Sequence, residues 1–215
     1  MGAPPLIYAP PVGNIPILYQ DAQLCFVDKP AGLLSVPGKD PAHKDCVATR
    51  LSDQDPHSRL VHRLDMDTSG LMVFARTPTA QRHLGLQFER RHVAKTYVAL
   101  VAGEVARDEG EIDLPLIADW PNRPLQKVCH ETGKPAQTAW RVVARGRDWT
   151  RLELSPRTGR SHQLRVHLRA LGHPILGDRF YDGPAAPRLM LHALRLSLRH
   201  PEGGRRMTVQ SPLPF

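Results

Sequence analysis

The 215-residue chain is poor in cysteine: Cys25, Cys46 and Cys129 are odd in number and far apart, so they make neither a disulfide framework nor a Cys-x-x-Cys metal knuckle. It has no apolar run near the roughly 18 residues that a membrane-spanning helix needs. Met1 to Asn14 lacks both the basic start and the apolar centre of a secretory leader, and a cytoplasmic protein is expected. A lipid anchor at Gly2 is unsupported, because Leu6 occupies the position where the myristoylation motif has Ser or Thr. Also missing are the G-x-x-x-x-G-K-[ST] phosphate loop, the G-x-G-x-x-G dinucleotide fingerprint, H-E-x-x-H and G-x-S-x-G, which removes the usual nucleotide-dependent and esterase chemistries. Lysine is scarce as well, supplying six of the 29 cations.

What is abundant is proline (21) and glycine (16), which break long helices, so composition disfavours a helix bundle and points to a turn-rich α+β or mostly β design. The net charge is +8 and the pI near 9.9, values suited to a polyanionic partner such as RNA or DNA. The arginine bias has two readings: codon preference, or selection of a planar fork that grips phosphates and stacks on bases. Eleven histidines invite a metal site, but His162 and His167 are five apart and do not stack on one helix face. Capping, packing and RNA-facing roles fit them better.

Along the chain, residues 1–14 carry four prolines and read as a mobile or extended leader. Residues 15–19 and 23–28 read as a hairpin, stopped by Lys29-Pro30-Ala31-Gly32. Residues 33–55 are loop-like with at most a short helix near 47–51, and 71–75 read as a buried strand. Thr77 followed by Pro78 starts a helix running to about Arg91, with Leu84 and Phe88 on one face. Strands are expected at 96–102, around Ile112, at 137–144 and 149–154, then a helix over 161–171 ended by Gly172 and Pro174, and two last strands at 191–198 and 207–210.

The chemistry concentrates in His62-Arg63-Leu64-Asp65-Met66-Asp67-Thr68-Ser69-Gly70. By residue type alone this is a polar loop whose Asp and Thr side chains bond local backbone. As a pattern it resembles the H-R-L-D-x-x-T-S-G signature of the RluA family of pseudouridine synthases, with every fixed position matched. Lys95-Thr96-Tyr97 resembles that family's K-x-Y strand, Arg157 to Leu168 (RTGRSHQLRVHL) its third motif, and Leu176-Gly177-Asp178 the triplet that follows. Asp119 to Pro124 (DWPNRP) and Glu131 to Gln137 (ETGKPAQ) resemble the family's short, dual-specificity branch. The likeness runs in order over roughly residues 15–212, so residues 15–215 are expected to be one catalytic domain, without the S4-like domain of many relatives. Between Pro37 and Leu60 there is no family signature, and contacts there stay unassigned.

The resemblance implies an α+β pseudouridine synthase fold: a long mixed, mostly antiparallel sheet in two lobes with flanking helices and a central RNA-binding cleft. It implies an isomerase that breaks the N1–C1′ bond of a uridine, turns the uracil and rejoins it through C5, with no metal or cofactor. Asp65 is the implied catalytic carboxylate, as nucleophile at C1′ or base at C2′. Arg165 is its implied cationic partner, against a solvated-arginine reading in which it shares a face with Arg169. Tyr97 is implied to stack on the target base, against a plain core role. Arg63 is implied to fill the space a flipped nucleotide leaves. His62 would serve backbone contacts, and Leu164 the wall of the pocket or simply the core. The implied partners are 23S rRNA and a tRNA anticodon stem-loop. Two rivals stay open at this level: an inactive RNA binder on the same fold, and a metal-dependent nuclease.

Overall fold

The computed structural model describes residues 8–215, and these form two compact units, residues 8–95 with 192–215 and residues 96–191. Residues 1–7, half of the expected leader, lie outside the described residues. The other half has no regular element, but it is held to the body. The Tyr8 hydroxyl donates to the Asp45 carbonyl and accepts from the Leu34 N–H, while Arg50 donates to the Gly13 carbonyl.

The first unit opens with the expected hairpin, β1 (Ile17–Gln20) and β2 (Leu24–Lys29). Its turn is set by Asp21, whose carboxylate accepts from the N–H groups of Gln23 and Leu24 at 2.8 Å each. Helix α1 (Val47–Gln54) is slightly longer than expected. Its start is a reciprocal cap in which the Cys46 thiol accepts from the Thr49 N–H and the Thr49 hydroxyl from the Cys46 N–H. Strand β3 (Arg59–Leu60) precedes β4 (Ser69–Ala75), which is buried along its whole length. Thr77 caps α2 (Pro78–Glu89) through the Ala80 N–H, and Ala80 and Leu84 turn inward. They close a core with Leu24, Phe26, Leu71, Val73, Ala75, Leu196 and Leu198.

The chain leaves this unit within β5 (Ala94–Ala102) and builds β6 (Glu109–Asp113), a separate ribbon of β7 (Leu116–Ala118) and β8 (Gln126–Val128), then β9 (Gln137–Arg145), β10 (Trp149–Pro156) and α3 (Gln163–Ala170). Strands β5, β10, β9 and β6 pair antiparallel in that order. Leu164 and Leu168 of α3 pack with Ala99, Val101, Leu152, Leu154 and Ile175. The chain then returns through β11 (Leu191–Arg199) and β12 (Arg206–Gln210) to the first unit. There β11 joins β4 in parallel, Ala193 opposite Gly70. Gly70 has φ +110° and a Cβ there would collide with the Ala193 main chain, so the last residue of the signature segment is glycine for a packing reason.

The architecture is thus α+β, a large and mostly antiparallel sheet with, among the described residues, three α-helices. No helix among the described residues is long and apolar enough to cross a membrane. Helix α3 is shorter than the 161–171 expected. His162, read as its first turn, sits in the left-handed region at φ +52°, and Gln163 begins the helix. The Gln163 amide explains the switch: it accepts from the Thr158 hydroxyl and the Arg160 N–H and donates to the Gln137 carbonyl and the Thr138 hydroxyl, all within 3.0 Å.

Candidate active site

The segment carrying Asp65 runs beside one edge of β4. Along that edge β11 takes Ser69 and Gly70, β3 takes Phe74 and Ala75, and the intervening Val73 N–H donates to His62 Nε2 at 3.0 Å. An imidazole therefore supplies the acceptor that a neighbouring strand would supply elsewhere. Beyond His62 the main chain is pinned on both sides of Asp65. The buried Ser35 hydroxyl donates to the Leu64 carbonyl at 2.7 Å and accepts from the Leu64 N–H at 3.0 Å. The Met66 carbonyl accepts from the Gly32 N–H and from Lys29 Nζ. Lys29 is fully buried at the end of β2, and its ammonium also donates to the Pro30 and Leu33 carbonyls at 2.9 and 2.7 Å. The Asp65 carbonyl accepts from the Thr68 N–H, closing a tight turn. The consequence is a half-buried Asp65 on a fixed backbone, beside an exposed Arg63.

His62 stacks on Phe88 with ring centroids 4.7 Å apart, and burial holds its pKa down to about 3, with the nearby Lys95 adding to the effect. The ring is neutral, and its accepting Nε2 places the proton on Nδ1. Below pH ~6.5 only the unfolded chain takes up this proton, so the stability His62 contributes is complete above that pH and is lost as the pH falls toward about 3. His167, which bonds Thr138 and the Leu114 carbonyl, is shifted downward by burial in the same sense. His62→Gln, which keeps an acceptor for Val73, should lose about 1.6 kcal/mol less than the wild type between pH 6.5 and 5, the slope rising from half of ~1.4 kcal/mol per pH unit at 6.5 to nearly all of it at 5. Urea titrations at the two pH values test this, and equal losses would show that the ring is not neutral in the fold.

In the second unit, Tyr97 stands near the start of β5 opposite Leu154 of β10 and packs on the core cluster that contains the buried Leu164. Leu164 is thus a core residue of α3. Arg165 on the same helix is 2% exposed. Its Nε and Nη2 engage both carboxylate oxygens of Asp178 at 2.7 and 2.6 Å, the bidentate geometry that makes such pairs strong. The rings of Phe180 and Tyr181 lie 5.2 Å from the guanidinium carbon. Asp178 is itself fixed, accepting from the Phe180 N–H at 3.0 Å on its carboxylate and from the Gly183 N–H on its carbonyl. Gly177 before it has φ +77° and no room for a Cβ against the Arg188 main chain. The Tyr181 hydroxyl bonds His162 Nδ1 at 2.6 Å and accepts from the Gln126 N–H.

Sequence reasoning linked Arg165 to Asp65. Within its own unit the guanidinium is gripped by Asp178, which entered the reading only as the end of the L-G-D triplet. Lys29 reads in the sequence only as part of the stop after the hairpin, and Ser35 only as part of a loop. The one available hint for Lys29 is its position beside Asp28 at the end of a strand that is apolar from Leu24 to Val27, just before Pro30.

A family model described as RNA pseudouridylate synthase matches residues 23–170. The chain belongs to that family. This RNA pseudouridine synthase is 58% identical over 204 residues to the dual-specificity RNA pseudouridine synthase RluA of Yersinia pestis, a match covering 93% of the chain and 99% of the relative. To the RluA of Escherichia coli K12 it is 57% identical, with 93% of each protein covered. Among solved structures it resembles human RNA pseudouridylate synthase domain containing 1, at 28% identity and a TM-score of 0.81, covering 96% of the chain and 87% of that structure. The synthase is therefore an isomerase whose substrate is RNA. Its matched stretch takes in Asp65, Tyr97 and Arg165, while Asp178 lies past its end.

Proposed function

We propose that the synthase isomerises uridines in both 23S rRNA and a tRNA anticodon stem-loop, in the cytoplasm. The identity of 57–58% over nearly the whole of two relatives that carry the dual-specificity name supports this reading. Two unrelated RNAs share a folded loop with splayed bases rather than a long sequence, and such loops are what proteins read in RNA. The reaction cleaves N1–C1′, rotates the uracil and forms C5–C1′. The C5 hydrogen leaves as a proton and N1 regains one, so no redox partner is required.

In this reading Asp65 acts as a carboxylate on the ribose, as nucleophile at C1′ or base at C2′. An RNA backbone raises the pKa of a nearby carboxylate, and Arg165 is the cation that counters it. Arg63, exposed next to Asp65, fills the gap in the stack when the nucleotide swings out. Tyr97 stacks on the uracil. His62 holds the Asp65 segment on β4 through Val73, and Leu164 supports the α3 turn that carries Arg165.

The test is tritium release from 5-tritiated uridine in transcripts of a 23S rRNA stem-loop and a tRNA anticodon stem-loop. Release from both is expected. Release from one alone would remove the dual assignment, and intact RNA without release would leave an inactive binder. On the same substrates Tyr97→Ala should lower kcat/KM by ~10- to 100-fold, the scale of one base–aromatic stack, while Tyr97→Phe stays within a few fold. Equal losses in the two variants would mean that stacking is not what Tyr97 supplies.

A further inference from the structure

We propose that a surface cavity of about 410 Å³ in the first unit, lined by Arg91, His92, Ala94, Leu198, Arg199 and Arg206, is an additional phosphate-binding subsite that takes a backbone phosphate of the RNA substrate. None of its basic residues belongs to the signature segments, and Arg199 and Arg206 lie outside the stretch matched to the family.

Three arginines and a histidine line this cavity, and no acidic residue does. Arg199 and Arg206 are direct cross-strand partners in the β11–β12 ladder. Like charges placed opposite each other on neighbouring strands cost stability, so the pair is maintained against the interest of the sheet unless an anion sits between them. Among the described residues no carboxylate neutralises Arg91, Arg199 or Arg206, and the one hydrogen bond of their side chains is a long contact of 3.4 Å from Arg199 to the Gly204 carbonyl.

The cavity is also built rather than incidental. The buried Gln87 of α2 clamps the Arg199 backbone with both ends of its amide, donating to the carbonyl at 2.7 Å and accepting from the N–H at 2.8 Å. The Gln87 main-chain carbonyl accepts from the His92 N–H at 2.8 Å. Arg91 between them adopts φ +60°, a left-handed conformation that non-glycine residues rarely take, and this turns the chain after α2 toward β11. One residue, Gln87, thus holds the main chain of both walls, Arg199 through its side-chain amide and His92 through its carbonyl, and the arginines come to a ligand with their backbones already placed. The planar forks of arginine suit phosphate oxygens pairwise. RNA, the established substrate, is the polyanion that offers them.

The test compares Arg199→Gln/Arg206→Gln with an equal-charge control, Arg107→Gln/Arg147→Gln, at two exposed arginines of the second unit. Binding of a stem-loop RNA is measured over a range of KCl. Loss of one phosphate contact should reduce the slope of log K against log[KCl] by about 0.7–0.9, and weaken binding at low salt by several fold, in the pocket variant alone. Equal slopes in the two variants would overturn the proposal, since they would reflect net charge and not a site. Inorganic phosphate provides the second arm, read as the thermal midpoint without RNA. If phosphate raises the wild-type midpoint but not that of the pocket variant, while their RNA affinities agree, the cavity takes a free anion and the RNA assignment falls. The readouts do not involve Asp65 or Tyr97, so the subsite and the proposed catalytic roles fail independently.

Discussion

Asp65→Asn is expected to bind stem-loop RNA within a few fold of the wild type and to release no tritium above background from 5-tritiated uridine. The side chain changes by one atom and loses its charge, while the backbone that carries it is held elsewhere: Leu64 by the Ser35 hydroxyl, and Met66 by Lys29 and the Gly32 N–H. The substitution therefore leaves the geometry and removes the chemistry, since an amide neither attacks C1′ nor takes a proton from C2′. Loss of a positioned base or nucleophile costs at least ~10³-fold in rate, which places the variant below detection. Binding energy drawn from phosphates and stacked bases does not depend on this carboxylate, and removing a negative charge near an RNA backbone favours binding if it changes it at all. Persistent product formation would remove Asp65 from the reaction. A collapse of affinity together with rate would assign it to the fold.

Asp178→Ala should destabilise the synthase by about 3–5 kcal/mol, the cost of breaking a buried ion pair by removing one of its members. Arg165 is 2% exposed and Asp178 1%, so water cannot replace the carboxylate once it is gone. For a protein whose total stability is on the order of 5–15 kcal/mol this is a large fraction, and it should appear as a lowered urea midpoint. Asp178→Asn keeps the bond from the Phe180 N–H and one acceptor for the guanidinium, and should recover part of the loss. Beyond stability, the pair sets where the guanidinium points, so Asp178→Asn, assayed well below its unfolding midpoint, should reduce kcat more than it raises KM. A variant as stable and active as the wild type would show that the two-pronged contact is dispensable.

Both predictions depend on groups that were unevenly legible in the sequence. The hairpin, the Thr77-capped helix and the strands at 71–75, 96–102 and 191–198 could be read because each is specified locally: Asp21 makes its own turn, Thr77 bonds its own third residue, and β4 is apolar from Leu71 to Ala75. Helix α3 starts two residues later than its pattern predicts because His162 is held left-handed beside a Gln163 whose amide nitrogen donates to Gln137 and Thr138, 25 residues or more away. The 1–14 leader was read from prolines alone, which say nothing about a tyrosine that reaches Leu34 and Asp45.

The sequence by itself determined the family and the set of chemically capable side chains, because H-R-L-D-x-x-T-S-G, the K-x-Y strand and the R-T-G-R-S-H-Q-L-R run are contiguous patterns whose residues need only be named. Only the tertiary structure decided how those side chains are held. Lys29 reaches Met66 across 37 positions, Ser35 reaches Leu64 across 29, and Gln87 clamps Arg199 across 112. Hydrogen bonds and charge pairs act over a few ångströms of space whatever the separation along the chain, so the residues that aim the chemistry leave no local trace until the chain has folded.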